Sequence, residues 1–240
     1  MVVAFLLAAS SSRADPPAGS NALDSVSVGL PMNGSLQRGE VLPRKGTGYV
    51  LIKSARERKA RFGVLELVML IKDAAYKVSR KHKGSILRVA DLSTRKGGKI
   101  DHHGSHQNGR DVDFAFFMVD KQGAQAVSDV FVPFDANGYS VDPPMEYRFD
   151  TRRNWALAEA LIKSRRATVQ WIFVADHLKK LLIKYGETHG AKKSVLRMAE
   201  QIIHQPSKKA HWDHFHVRIY CPSDDSPECR DVGPRWAWVK

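Results

Sequence analysis

A single α+β domain, with helices flanking a central, mostly antiparallel sheet, is the fold class that this sequence of 240 residues predicts. Three observations lead there. Short β-rich runs are interspersed with helical periodicities without strict alternation, so the strands need not be parallel. The length is enough for one domain with a full core. Two histidine-rich stretches, far apart in the chain, each lead into a strand, and only a sheet that brings those strands together lets them act as one site.

In chain order, Val2 to Ala9 form a short apolar run followed by Ser10-Ser11-Ser12-Arg13-Ala14, so residues 1–14 read as the remnant of an export signal cut after Ala14. No basic region precedes the run, and the expectation is that the true start lies upstream. Residues 15–48 read as a loop-rich segment, with Pro16-Pro17 and Asn33-Gly34 marking turns, and 49–240 as the functional domain. Tyr49 to Ile52 predict a strand. Leu65, Val68, Leu70, Ile71, Ala74, Ala75 and Val78 recur at helical spacing, which predicts a helix over 64–81 that ends near Gly84. A strand over 85–90 follows, then the flexible Lys96-Gly97-Gly98-Lys99. After the turn pair Asn108-Gly109, a strand runs from Asp111 through Phe117. Residues 118–149 predict an irregular excursion with a small hairpin. Asp150 caps a helix over 151–165, the β-preferring run 168–174 is a strand, and a helix over 176–185 ends at Gly186. A further amphipathic helix covers 191–204. From His214 the apolar Phe215, Val217 and Ile219 alternate with His214, His216, Arg218 and Tyr220, the period of a half-buried strand that sets His214 and His216 on one face.

Composition narrows the function classes. Lys and Arg number 38 against 25 Asp and Glu, a net charge of +13, which favours anionic partners. These charges are not gathered in one block with interleaved aromatics, so no nucleic-acid groove is written here, and a polymer with free carboxylates fits better. No apolar run reaches membrane-spanning length. Export would favour disulfides. Cys221 and Cys229 flank a turn-rich loop that one disulfide can staple; cysteine ligation of a metal is the competing reading and ranks lower.

Six of the ten histidines fall in two stretches, His102-His103-Gly104-Ser105-His106 and His211-Trp212-Asp213-His214-Phe215-His216. Scattered surface histidines rarely cluster so. With Asp111 and Asp113 beside the first stretch, the residue types are those of a zinc hydrolase, which needs three protein ligands and an open position for water. A serine or cysteine nucleophile has no supporting motif.

The spacing His106-x6-Asp113 followed by His214-x-His216 resembles the signature shared by lysostaphin-type peptidases, D-Ala-D-Ala metallopeptidases and hedgehog domains. The runs Gly104 to Asp113 and His211-x-x-His214-x-His216-Val217-Arg218 more closely resemble the penicillin-insensitive murein endopeptidases, and Cys221-Pro222 and Cys229 also fit that family. Weaker similarity runs from Ser27 through Val174. The resemblance implies an exported or periplasmic zinc endopeptidase whose substrates are peptidoglycan stem peptides and whose bond is D-alanyl to meso-diaminopimelyl. It implies Zn2+ on His106, Asp113 and His216, with His103 and Asp111 as supporting or alternative ligands. Three groups compete for the proton chemistry: His214 first, His211 second, and Asp213, which departs from the endopeptidase pattern but matches the base of the D-Ala-D-Ala carboxypeptidases. Pairing of Asp213 with Lys208, Lys209 or Arg218 is its plainer alternative. A second metal position in the family uses Asp-x-x-His, and here Asp135 is followed by Gly138, so that site does not carry over. The rivals are a D,D- or L,D-carboxypeptidase on the same zinc site, and a non-catalytic zinc-bearing wall-binding domain.

Overall fold

A computed structural model describes residues 24–206 and 211–239. The export signal assigned to residues 1–14 lies outside the described residues, as do Lys208 and Lys209. Strands β1 (Val26–Leu30) and β2 (Asn33–Gln37) form an antiparallel hairpin within the segment expected to be loop-rich. The bend falls at Pro31-Met32, and Asn33 and Gly34 already pair with Leu30 and Gly29. Turn-forming residues here end strands; they do not replace them. Next come β3 (Glu40–Val41), β4 (Lys45–Gly46), β5 (Tyr49–Leu51), the short α1 (Lys53–Glu57) and β6 (Phe62–Gly63). Helix α2 (Leu65–Lys81) buries the predicted apolar stripe, with Leu67, Val68, Leu70, Ile71, Ala74, Ala75 and Val78 all inside. Strands β7 (Leu87–Val89) and β8 (Asp111–Ala115) follow, each shorter than its β-rich run.

The excursion over 118–149 is more ordered than one hairpin. β9 (Met118–Val119), β10 (Gln125–Ala126), β11 (Tyr139–Val141) and β12 (Pro144–Phe149) make a separate four-stranded antiparallel sheet. Helix α3 (Thr151–Ile162) begins as expected, Asp150 accepting a hydrogen bond from Arg153 N at 3.1 Å, but stops early, where the Ser164 hydroxyl takes the Arg166 amide. After β13 (Val169–Phe173), helix α4 (Asp176–Thr188) runs straight through Gly186. That glycine serves packing, because a Cβ there would meet the Trp155 ring at 2.5 Å. Helix α5 (Lys193–Ile202) is shorter at both ends than predicted, and its expected last turn is instead the strand β14 (Ile203–His204), paired in parallel with β13.

Strand β15 (His214–Ile219) completes a seven-stranded sheet in the order β14-β13-β15-β8-β7-β5-β4, in which every neighbouring pair except β13/β14 and β5/β7 is antiparallel. The β15/β8 register organises the molecule. Phe215 faces Phe114 and Val217 faces Val112, all at most 1% exposed, and such burial is worth roughly 2 kcal/mol per side chain. On the other face His216 lies directly opposite Asp113, and Arg218 opposite Asp111. The strand predicted to be half-buried is covered on both sides, since His216 and Arg218 are only 7% exposed. Among the described residues no helix is long and apolar enough to cross a membrane.

Cys221 and Cys229 form the predicted disulfide, with Cα atoms 5.8 Å apart. The stapled loop clasps β1: Gly29 N donates to Glu228 O, Arg230 N to Gly29 O, and Ser27 N to the buried Asp225 Oδ2 at 2.7 Å. Burial pushes the Asp225 carboxyl up to about 6, tempered by the Ser27 amide and reinforced by Glu66. The fold therefore favours protonated Asp225. The stability it contributes is complete below the ordinary carboxyl value near 4 and is lost as pH rises through about 6, a change on the order of 2 kcal/mol. Melting temperatures across pH 4 to 7 should fall in the wild type and flatten in Asp225→Asn, which keeps an acceptor for Ser27. An unchanged slope would remove Asp225 as the cause.

Candidate metal centre

The centre is built by one loop and two strands. The loop before β8 turns sharply, with His106 at φ 69° and Gly109 at φ 77°. At Gly109 a Cβ would press on Leu36 at 2.7 Å and Gly63 at 3.2 Å, so only glycine lets the loop approach this closely. The His106 amide donates to Asp111 Oδ2 at 3.0 Å, which ties the loop to the first residue of β8. Behind it the fully buried Arg110 donates to Ile219 O, Arg230 O and Asp231, joining β8 to the C-terminal segment.

Asp113 is the meeting point. Its Oδ1 lies 3.3 Å from His106 Nε2, 3.2 Å from His216 Nδ1 and 3.8 Å from His214 Nε2, while its Oδ2 lies 3.7 Å from His103 Nδ1. The His106 ring is oriented from behind: Nδ1 donates to Leu92 O at 2.8 Å, leaving the Nε2 lone pair facing Asp113. His216 turns its Nε2 towards Asp111 Oδ1 at 3.5 Å and its Nδ1 into the centre. Asp111 in turn is gripped by Arg218, Nε to Oδ1 at 2.6 Å and Nη2 to Oδ2 at 3.0 Å.

These residues fit a metal ion. His106 Nε2 and Asp113 Oδ1 are buried and have no hydrogen-bond partner among the described residues, a costly state that a cation shared between them relieves. His103, His106 and Asp113 each present one ligand atom, all within 4.8 Å of one another. His216 lies outside that group, although its Nδ1 is 3.2 Å from Asp113 Oδ1, closer than His103 Nδ1 is to Asp113 Oδ2. A buried His-His-Asp group of this kind can hold a metal.

The charges are mutually adjusted. Burial would raise the Asp113 carboxyl, yet His106 and His214 by charge and His106 and His216 by contact hold it well below the usual carboxylate range. Asp111 is likewise lowered against its burial by Arg218 and His216. His216 is raised despite burial, by Asp111 and Asp113. His211 goes the other way, lowered to about 3 by burial and by the neighbouring His216 and His214.

His211 and His214 stand beside the centre, their ring centroids 5.0 Å apart, and His211 also lies 5.4 Å from His216. His214 stacks on Phe131 at 4.3 Å and 14°. Asp213 Oδ1 is 2.7 Å from His214 Nδ1, and Arg218 is committed to Asp111, so among the described residues Asp213 pairs with His214 and not with Arg218. Asp135 is a turn residue, accepting from Asn137 N and Tyr139 N, and is absent from the lining of the cleft. The cleft over the centre holds about 650 Å³. Its walls include Arg58, Asp91, Phe131 and Phe173, which sequence reasoning did not single out. Arg58 sits in an Arg-rich run indistinguishable from a solvated face. An acid immediately after an apolar strand was the one available signal for Asp91.

An α+β protein with a buried His/Asp group able to hold a metal ion, on the floor of a cleft, is the class that fold and site define. Residues 27–236 match the family described as penicillin-insensitive murein endopeptidase. The chain is 29% identical over 217 residues to the penicillin-insensitive murein endopeptidase of Klebsiella pneumoniae strain 342, covering 87% of this chain and 70% of the relative. It is 28% identical over 210 residues to the Haemophilus influenzae enzyme of the same name, covering 86% and 67%. The Pectobacterium atrosepticum one is 29% identical over 212 residues, covering 85% and 68%. The chain belongs to the penicillin-insensitive murein endopeptidase family, and its enzyme class is therefore that of a peptidoglycan hydrolase.

Proposed function

We propose that this protein is an exported zinc endopeptidase that hydrolyses D-alanyl-meso-diaminopimelyl cross-links of peptidoglycan, with His106, Asp113 and His216 holding the metal. The observation that carries the reading is the direct pairing of Asp113 with His216 across β8 and β15, next to the orphaned His106 Nε2. Two nitrogens and one carboxylate oxygen are a donor set suited to catalytic zinc. Bound zinc supplies Lewis acidity towards the scissile carbonyl and an acidified water.

This chain's residues supply the rest. Asp213 accepts from His214 Nδ1, which fixes the tautomer that leaves the Nε2 lone pair facing the centre as a proton acceptor. Stacking on Phe131 holds that ring in place. His211, neutral at physiological pH, is suited to donate a hydrogen bond to the developing oxyanion and adds no charge. Asp213 thus orients the base. The excess of basic residues favours stem peptides that carry free carboxylates. The disulfide supports an oxidising, exported location.

Mass spectrometry of purified cross-linked muropeptide dimers incubated with the protein, with chelated and zinc-restored controls, tests this. Monomers formed only with metal are expected. Intact dimers together with D-alanine release from pentapeptide monomers would reassign the site to a carboxypeptidase.

A further inference from the structure

Arg58 and Asp91 lie against His103 and have no part in the reaction set out above. Asp91 follows β7, is 1% exposed, and lines the cleft. Its Oδ2 lies 2.8 Å from His103 Nε2 and accepts from Arg58 Nε at 2.9 Å and Nη2 at 2.6 Å. Its backbone oxygen accepts from Asp113 N at 3.0 Å. One residue therefore binds both the backbone amide of Asp113, through its main chain, and the neighbouring His103 imidazole, through its side chain.

The chemistry follows from donor and acceptor roles. A carboxylate receiving a guanidinium accepts only, so the hydrogen between Asp91 and His103 belongs to Nε2 and the His103 lone pair is left on Nδ1. That Nδ1 is the atom 3.7 Å from Asp113 Oδ2, within the ligand group shared with His106. The other tautomer would aim an N–H at the metal position and oppose a cation. Arg58 supplies the opposite charge that a carboxylate this deeply buried needs.

We propose that Arg58 and Asp91 are positioning residues that lock His103 in its Nε2-protonated tautomer and aim its Nδ1 lone pair at the metal centre of His106, Asp113 and His216. The inference rests on the metal centre proposed above and deepens it. Carboxylates behind ligand imidazoles raise metal affinity by fixing the ring and its tautomer.

The test is zinc affinity, read by competition with a chromophoric chelator on the whole chain without peptidoglycan. Asp91→Asn should weaken zinc about 10- to 100-fold, as should His103→Gln, and Arg58→Gln should weaken it by a smaller factor. Because Asp91 acts through His103, Asp91→Asn placed in the His103→Gln background should cost little more. Nitrogen-15 spectra of the zinc-loaded wild type should show His103 protonated at Nε2, and Asp91→Asn should abolish that fixed state. Wild-type zinc affinity in Asp91→Asn, or the same loss with and without His103, overturns the proposal. If Asp91→Asn does not melt cooperatively, Arg58→Gln decides, since the Arg58 side chain is 38% exposed and glutamine keeps a hydrogen-bond donor for Asp91; unchanged zinc affinity and an unchanged His103 spectrum there overturn it. A wild type that binds no zinc sinks the underlying centre as well. A wild type that binds zinc but cleaves no cross-link sinks the substrate assignment alone.

Discussion

Asp113→Asn protein is expected to fold, to lose bound metal on dialysis, and to cleave cross-linked muropeptides slower by on the order of 10³-fold or more. The reasoning is local. Asp113 is the point on which His106, His216 and His214 converge, and its Oδ1 is buried without a hydrogen-bond partner among the described residues. Asparagine keeps the shape but removes the charge that favours a cation there. Its amide also puts two N–H donors where an acceptor is needed. Stability should fall, because the imidazoles hold the Asp113 carboxyl well below the usual range and the fold therefore favours its ionised form. Metal content by elemental analysis, a thermal melt, and the muropeptide assay together check this. Near-normal turnover with normal metal content would show that the centre lies elsewhere.

Arg218→Met is expected to cost about 3–5 kcal/mol, because it strips the partner from a fully buried carboxylate. In a chain of this size that lowers the melting temperature by roughly 10 °C. The loss reaches the site, because Asp111 also receives the His106 amide and faces His216 Nε2. Adding Asp111→Asn to Arg218→Met removes the stranded charge and should recover part of the stability without recovering zinc affinity. If the single variant melted like wild type, the Arg218 pair would be structurally neutral and Asp111 would need another partner.

Much of the site could be read from the chain because its residues are chemically unusual. Histidines at His106, His214 and His216 with Asp113 are costly to bury, and their clustering near strand starts had few explanations besides a metal. The period of β15 placed His214 and His216 on one face before any contact was known. Asp91 and Arg58 were not legible in that way: each is an ordinary acid or base in sequence, and its role arises only because β7 and the segment after α1 end beside the His103 loop. The hairpin β1/β2 was missed for a related reason. Its Gly, Pro and Asn residues signal turns, whereas its strands depend on pairing with one another and on the disulfide loop that clasps Gly29.

By itself the sequence determined the fold class, the strand that carries His214 and His216, the histidine loop and the disulfide, because alternation, helical period and rare residue types are local properties of the chain; the family came from the resemblance of its two histidine motifs. The tertiary structure alone decided the β15/β8 register that sets His216 opposite Asp113. It also decided the continuation of α4 through Gly186 beneath Trp155, and the choice of Asp213 as the partner of His214 instead of Arg218. Each of these depends on which groups remain to satisfy one another once the core has closed, and that is fixed by distances between residues far apart in the chain.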